Sequence, residues 1–134
     1  MRFTSILDAS ALLAYLQDEP GAETVGKALT EGCLINAINW AETLSKLAER
    51  GKNPDEVTTL LTNQGLLNHA LIIRPFDADL AKQTAKLRVL TKQIGLSLGD
   101  RACLAFGLIS QLPVLTSDRA WAKLNLGVVI QLIR

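Results

Sequence analysis

Short apolar runs alternate along this chain with longer stretches in which apolar residues recur every three or four positions, the marks of buried strands and amphipathic helices. Phe3 to Leu7 predicts a first strand, and Ser10 to about Gln17 a helix that the Glu19-Pro20-Gly21 turn closes. Ala22 to Thr30 predicts a second helix, Cys33 to Ala37 a short strand, and Asn39 to Arg50 a helix ended by Gly51. Pro54 stands where a first helical turn tolerates proline, opening a helix that runs to about Gln64. Ala70 to Ile73 predicts a third strand. Asp77 is placed to cap a long helix reaching about Gln93, with Gly95 as its stop, and Ser97 to cap the next through about Ser110. Val114 to Thr116 as a strand, Arg119 to Leu124 as a short helix and Val128 to Leu132 as a last strand complete the pattern. Strands separated by helices imply right-handed crossovers and a mostly parallel sheet, hence an α/β fold. Without a repeat, a low-complexity segment or a linker, residues 1–134 read as one domain.

Hydrophobic residues make up 49% of the chain and mean hydropathy is +0.23, rich for 134 residues. Such a surplus implies that some apolar surface is buried against a partner. No apolar run approaches the length of a membrane span and the first residues lack a signal-peptide pattern, so a cytoplasmic protein is expected. Cys33 and Cys103 lie far apart on apolar segments, without CxxC spacing, and are expected to be buried free thiols. Net charge is +1, from 14 Lys and Arg against 13 Asp and Glu. That balance argues against broad non-specific nucleic-acid binding but leaves room for a local basic groove.

Chemistry concentrates in four acids. Asp8 and Asp118 each follow a strand-like run, while Glu42 and Asp100 fall in what reads as a first helical turn. In a parallel sheet, strand C-termini and the helices that follow them share one rim, where open α/β folds place their ligands. Carboxylates gathered there repel one another unless a hard cation holds them, which points to Mg²⁺ or Mn²⁺. Each acid also has a structural reading. Asp8 can cap the first helix, Asn39 with Glu42 and Ser97 with Asp100 have capping-box spacing, and either Ser117 or Asp118 can cap the short helix. Glu42 can also pair with Lys46 one turn on. Ser10, Thr116 and Ser117 bring hydroxyls beside the acids, of the kind that orient carboxylates.

Other schemes lack their residues. His69 is the only histidine and stands in a polar stretch, which excludes a two-histidine ribonuclease and leaves neither cysteine a base. There is no G-x-x-x-x-G-K-[ST] phosphate loop. A haloacid-dehalogenase-like phosphatase needs an Asp two residues after Asp8, where Ser10 stands.

Taken together, Leu7-Asp8-Ala9-Ser10-Ala11-Leu12, Trp40-Ala41-Glu42, Leu98-Gly99-Asp100-Arg101-Ala102 and Thr116-Ser117-Asp118-Arg119-Ala120-Trp121 make the whole chain resemble the PIN-domain ribonucleases. The closer resemblance is to the VapC-like toxins of VapBC toxin–antitoxin pairs. It implies a three-layer α/β/α PIN-like domain with a central, mostly parallel sheet, and Mg²⁺- or Mn²⁺-dependent endoribonuclease activity. It also implies a homodimer inhibited by a cognate antitoxin protein. Asp8, Asp100 and Asp118 are then the expected metal ligands, and Glu42 a ligand or the base that receives a proton from water. Cleavage by water implies 5′-phosphate and 3′-hydroxyl ends. The chain departs from many relatives in carrying Trp121 and Ala122 where a further Asp is common, which weakens the case for a second metal. A housekeeping PIN nuclease and a catalytically silent PIN-like binding module are the alternatives.

RNA needs cations beside so acidic a rim. Arg101 and Arg119 directly follow proposed ligands, Lys46 and Arg50 share a helix with Glu42, and Lys82, Lys86, Arg88 and Lys92 lie along the long helix, where a solvated face is the plainer reading. Two Trp, one Tyr and three Phe are too few for a base-stacking surface, so Trp40 and Trp121 read as core anchors. Leu12, Leu13, Leu16, Leu44 and Leu47 either line a groove for an antitoxin helix or belong to the core.

Overall fold

The computed structural model describes residues 2–134. Five strands form one parallel sheet: β1 (Ser5–Leu7), β2 (Cys33–Asn36), β3 (Leu71–Arg74), β4 (Val114–Thr116) and β5 (Ile130–Leu132). Their order is β3-β2-β1-β4-β5. Helices α1 (Ala9–Leu16), α2 (Ala22–Glu31), α3 (Ala37–Glu49), α4 (Pro54–Asn63), α5 (Ala78–Leu90) and α6 (Leu98–Ser110) connect them, with a 3-10 turn at Arg119–Lys123.

Side chains alternate across each strand, which sorts the apolar residues into two cores. Leu7, Ile35, Leu71 and Leu115 point to one face and pack with Leu12, Val25, Trp40 and Leu61 from α1 to α4. Ile6, Leu34 and Val114 point to the other and pack with Leu80, Leu87, Leu104 and Phe106 of α5 and α6, and with Trp121. The result is a three-layer α/β/α sandwich. Strands buried on both faces must be continuously apolar, as Ser5-Ile6-Leu7 and Val114-Leu115-Thr116 nearly are. Among the described residues, no helix is long and apolar enough to cross a membrane. Both cysteines are free and buried.

Several boundaries differ from expectation. Helix α3 begins two residues early because Asn36, not Asn39, caps it: Asn36 Oδ1 accepts from the backbone N–H of Ile38 (2.9 Å) and Asn39 (3.1 Å). Helix α5 stops at Leu90 rather than near Gln93, since residues 91–95 form turns in which the Ile94 and Gly95 N–H groups both return to the Thr91 carbonyl and Gly95 takes a positive φ. Paired strand at the C-terminus is confined to Ile130–Leu132, and Phe3 and Thr4 lie outside β1. Of the leucines offered for a groove, Leu12 and Leu47 are core, while Leu13, Leu16 and Leu44 are half-buried.

Helix α6 lies so close to β4 that Gly107 has no room for a side chain. A Cβ there would come within 2.7 Å of Val114 Cγ2 and of Val128 Cγ2. Gly107→Val is therefore expected to destabilise the fold by about 1–3 kcal/mol, the usual cost of overpacking. Urea unfolding checks this, and a midpoint equal to that of the parent would show that α6 can shift freely.

Candidate active site

The register of β1 against β4 builds the site. Ile6 pairs with Val114 and Leu7 with Leu115, so the next residues, Asp8 and Thr116, come side by side at the C-terminal edge. The Asp8 backbone N–H extends the pairing to the Leu115 carbonyl at 3.2 Å. Asp8 then caps α1 through Oδ1, which accepts from the Ala11 N–H at 2.8 Å and the Ser10 hydroxyl at 2.7 Å, while Oδ2 accepts from the Thr116 hydroxyl. Ser10 Oγ in turn accepts the Ser117 N–H at 3.0 Å. The Ser10 and Thr116 hydroxyls thus both bond the Asp8 carboxylate, and Ser117 contributes its backbone.

Burial dominates Asp8. Only 6% of the residue is exposed, and loss of water lifts its carboxyl from 3.8 to about 6, despite three donors that pull the other way and with the Asp100 charge adding to the rise. The Cys103 thiol, one turn along α6 from Asp100, senses the same field. Burial, then the charges of Asp8, Asp100 and Glu42, hold it well above its ordinary value, so it is inert as a nucleophile.

The other acids arrive from three further elements. Asp100 forms a capping box at the start of α6: the Ser97 hydroxyl accepts from the Asp100 N–H and Asp100 Oδ2 accepts from the Ser97 N–H, both at 3.1 Å. Asp118, not Ser117, caps the 3-10 turn, accepting from the Ala120 N–H at 3.0 Å. Glu42 lies in the second turn of α3, not the first, because the helix starts at Ala37. It is not held by a capping box or by Lys46. The Asn39 amide donates to Glu42 Oε1 at 2.8 Å and to the Gly99 carbonyl at 3.0 Å. A Cβ on Gly99 would overlap the Glu42 carboxylate, so glycine is what lets that carboxylate lie against α6. Asn39 was legible only as a cap; its true role needs the contact between α3 and α6.

Asp8, Glu42, Asp100 and Asp118 line one cleft of about 220 Å³, with Ser10, Leu13, Asn39 and Lys46. They share its walls without closing on one point: among the described residues, no three His, Cys, Asp or Glu side chains are grouped closely enough to hold an ion between them. All-oxygen donors spread in this way fit a hard, hydrated ion such as Mg²⁺, which keeps several waters and takes few carboxylates directly.

The basic residues separate. Lys46 is exposed and lines the cleft. The ion pairs found among the described residues, Lys82–Asp79 and Arg134–Glu19, lie elsewhere. Arg101 turns away, its Nη1 donating to the Thr84 carbonyl of α5 at 3.1 Å. That bond ties α6 to α5 because adjacent helical positions face different ways. Arg119 is exposed at the start of the 3-10 turn. Trp121 is fully buried in the second core, and Trp40 packs in the first. His69 is exposed.

The raised Asp8 value has a consequence for stability. The folded chain binds that proton more tightly than the unfolded chain, so stability falls as pH rises from about 4 to about 6. At 1.36 kcal/mol per pH unit the loss approaches about 3 kcal/mol in metal-free protein. Asp8→Asn is expected to remove this component. Unfolding free energies of both proteins in chelator from pH 4 to 7 check it, and parallel pH profiles would overturn it.

The family model described as PIN domain matches residues 5–126. No curated protein is significantly similar in sequence. Among solved structures, the fold aligns with a toxin–antitoxin complex from Klebsiella pneumoniae at a TM-score of 0.74 and 18% identity, covering 98% of each chain. It aligns with DNA-bound VapBC from Salmonella typhimurium at 0.73 and 14%, covering 99% of this chain and 100% of that one. VapC20 of Mycobacterium tuberculosis, a sarcin–ricin-loop-cleaving toxin, aligns at 0.69 and 14%, covering 89% and 93%. At these identities the structures share the fold, and it is the family match over most of the chain that decides: the chain belongs to the PIN domain family.

Proposed function

We propose that the protein is a Mg²⁺- or Mn²⁺-dependent endoribonuclease and the toxin component of a type II toxin–antitoxin system. The observation that carries this reading is the convergence of Asp8, Glu42, Asp100 and Asp118 on one cleft, at the C-terminal edge of the neighbouring strands β1 and β4. Asp8, Asp100 and Asp118 would hold the ion, directly or through water. When bound, the ion supplies positive charge for the phosphoryl oxygens and acidifies the attacking water. Glu42 is a further ligand or the group that receives the water's proton, and its half-buried carboxylate is placed for either role. Lys46 offers a substrate phosphate a cation at the wall of an otherwise acidic cleft. Arg119 is free to meet the flanking backbone, whereas the Nη1 of Arg101 is engaged by the Thr84 carbonyl of α5, which makes Arg119 the better candidate of the two.

The partner reading rests on surface. Leu16, Tyr15, Leu29 and Leu61 line an open, mainly apolar cleft of about 250 Å³, suited to an amphipathic segment of a cognate antitoxin protein. Val89, Leu90, Ile94 and Ile109 expose further apolar area around α5 and α6, available to a second copy in a homodimer. Both agree with the apolar surplus in the sequence.

Purified protein is expected to cut single-stranded RNA in Mg²⁺ or Mn²⁺, to stop in EDTA, and to leave 5′-phosphate ends. Asp8→Asn should keep the fold and reduce cleavage by about two orders of magnitude or more, the scale of losing a proton-transfer or metal-orienting group. Equal cleavage by parent and variant would remove Asp8 from the mechanism, and no cleavage by the parent under any divalent ion would favour a silent binding module. Growth arrest on expression without the adjacent open reading frame, relieved by co-expression and dependent on Asp8, separates a toxin from a housekeeping nuclease.

A further inference from the structure

Asn39 has every polar atom of its amide committed. The residue is 1% exposed. Its Nδ2 donates to Glu42 Oε1 at 2.8 Å and to the Gly99 carbonyl at 3.0 Å, and its Oδ1 accepts from Asn36 Nδ2. Those partners specify one orientation. Asn36 must present its NH₂ group, because its own Oδ1 is occupied by the Ile38 and Asn39 N–H groups at the start of α3. The Gly99 carbonyl can only accept. Asn39 therefore faces Asn36 with oxygen and Glu42 with nitrogen, and a reversed amide would set like against like at each contact.

We infer that Asn39 is a positioning residue for cation binding: it pins Glu42 Oε1 so that Oε2 is left to serve the divalent ion, directly or through water. The inference rests on the metal-dependent reading above. Packing alone would favour an apolar residue of this size in the seam between α3 and α6, since a buried amide is costly unless each of its bonds is made. Here two of the three bonds tie the amide to the cleft wall, one to the acid itself and one to the turn that carries Asp100. The space at Gly99 completes the arrangement by admitting the carboxylate against α6. Fixing a ligand's direction through a neighbouring hydrogen bond commonly changes metal affinity by about 10–100-fold.

Mn²⁺ binding to the metal-free full-length chain, measured by calorimetry without RNA, tests this apart from cleavage. Asn39→Leu keeps the branched heavy-atom skeleton, though with bulkier methyl groups, and removes the amide; it is expected to weaken Mn²⁺ binding by about 10-fold. Glu42→Gln should weaken it at least as much, and the double variant no further than Glu42→Gln alone, because Asn39 acts only through that carboxylate. Circular dichroism and melting temperature report the fold, and Asn39→Ser, whose hydroxyl is too short to bridge to Glu42, carries the test should the leucine variant not fold. Parental affinity in the Asn39 variants, additive losses in the double variant, or an unchanged affinity in Glu42→Gln would each overturn the inference while leaving a metal nuclease standing. A parent protein that binds no Mn²⁺ would instead remove the metal-dependent reading and this inference with it.

Discussion

Burial of the Asp8 carboxylate at the junction of β1 and β4 is the constraint on which the rest of the site depends. The sheet order sends the chain outward from β1 to β3 and brings it back on the other side at β4, so a crevice opens between the loops that leave β1 and β4. The pairing register puts Asp8 against Thr116 at the floor of that crevice. A one-residue slip would exchange the faces of every β1 side chain and carry Asp8 away with them. Two cores, one on each face, therefore fix the register and, through it, a carboxylate that water barely reaches. Burial costs that carboxylate so much that three hydrogen bonds do not restore its ordinary acidity. A divalent ion favours the charged form by the same electrostatics that burial opposes.

The second wall of the cleft is made where α3 crosses α6, and its geometry follows from small residues. Gly99 removes the side chain that would block Glu42, and Asn39 fills the remaining gap with donors. On the far side of α6, Gly107 brings the same helix down onto β4. One helix is thus held close to the sheet at one end and close to α3 at the other, with Asp100 and Cys103 between its neighbours. Arg101 adds a third tether, to α5. Placement of Asp100 relative to Asp8 is consequently a property of helix packing rather than of a loop.

How much of this could be read from the sequence depends on the range of the interaction. The alternating elements, the Ser97–Asp100 capping box and the capping role of Asp8 are local, and the spacing of the residues sufficed to identify them. The start of α3 was misplaced because Asn36 and Asn39 are equally good caps by composition. The choice between them is made by β2, which ends at Asn36 after four residues of pairing with β3. Glu42 was consequently read as a first-turn acid with a local partner, although its partner is Asn39 in a network that includes the opposite helix. Arg101 was a candidate for RNA contact because it adjoins Asp100 in sequence; about 100° of helical rotation per residue turns it toward α5, where it bonds the Thr84 carbonyl. The convergence itself could be expected from topology and the capping bonds of Asp8 and Asp100 from spacing; the bonds that hold Glu42 and Asn39 against α6 could not.

Capping and ligand roles were set against each other for these acids, and the geometry removes the conflict. A carboxylate has two oxygens, and a helix cap needs one. Asp118 uses Oδ1 for the Ala120 N–H, Asp100 uses Oδ2 for the Ser97 N–H, and Glu42 gives Oε1 to Asn39. In each case one oxygen is committed to the structural bond, while the carboxylate still lines the shared cleft. Asp8 differs in having both oxygens occupied, but two of its three donors are hydroxyls, and Oδ2 is held by the Thr116 hydroxyl alone, so it is not committed as a backbone-bonded oxygen would be. Helix starts at the C-terminal edge of a parallel sheet thus supply oriented acids at little extra cost in order. The positive end of each helix favours aspartate as its cap and repels a cation, so any cation there would be held by the carboxylates against that field.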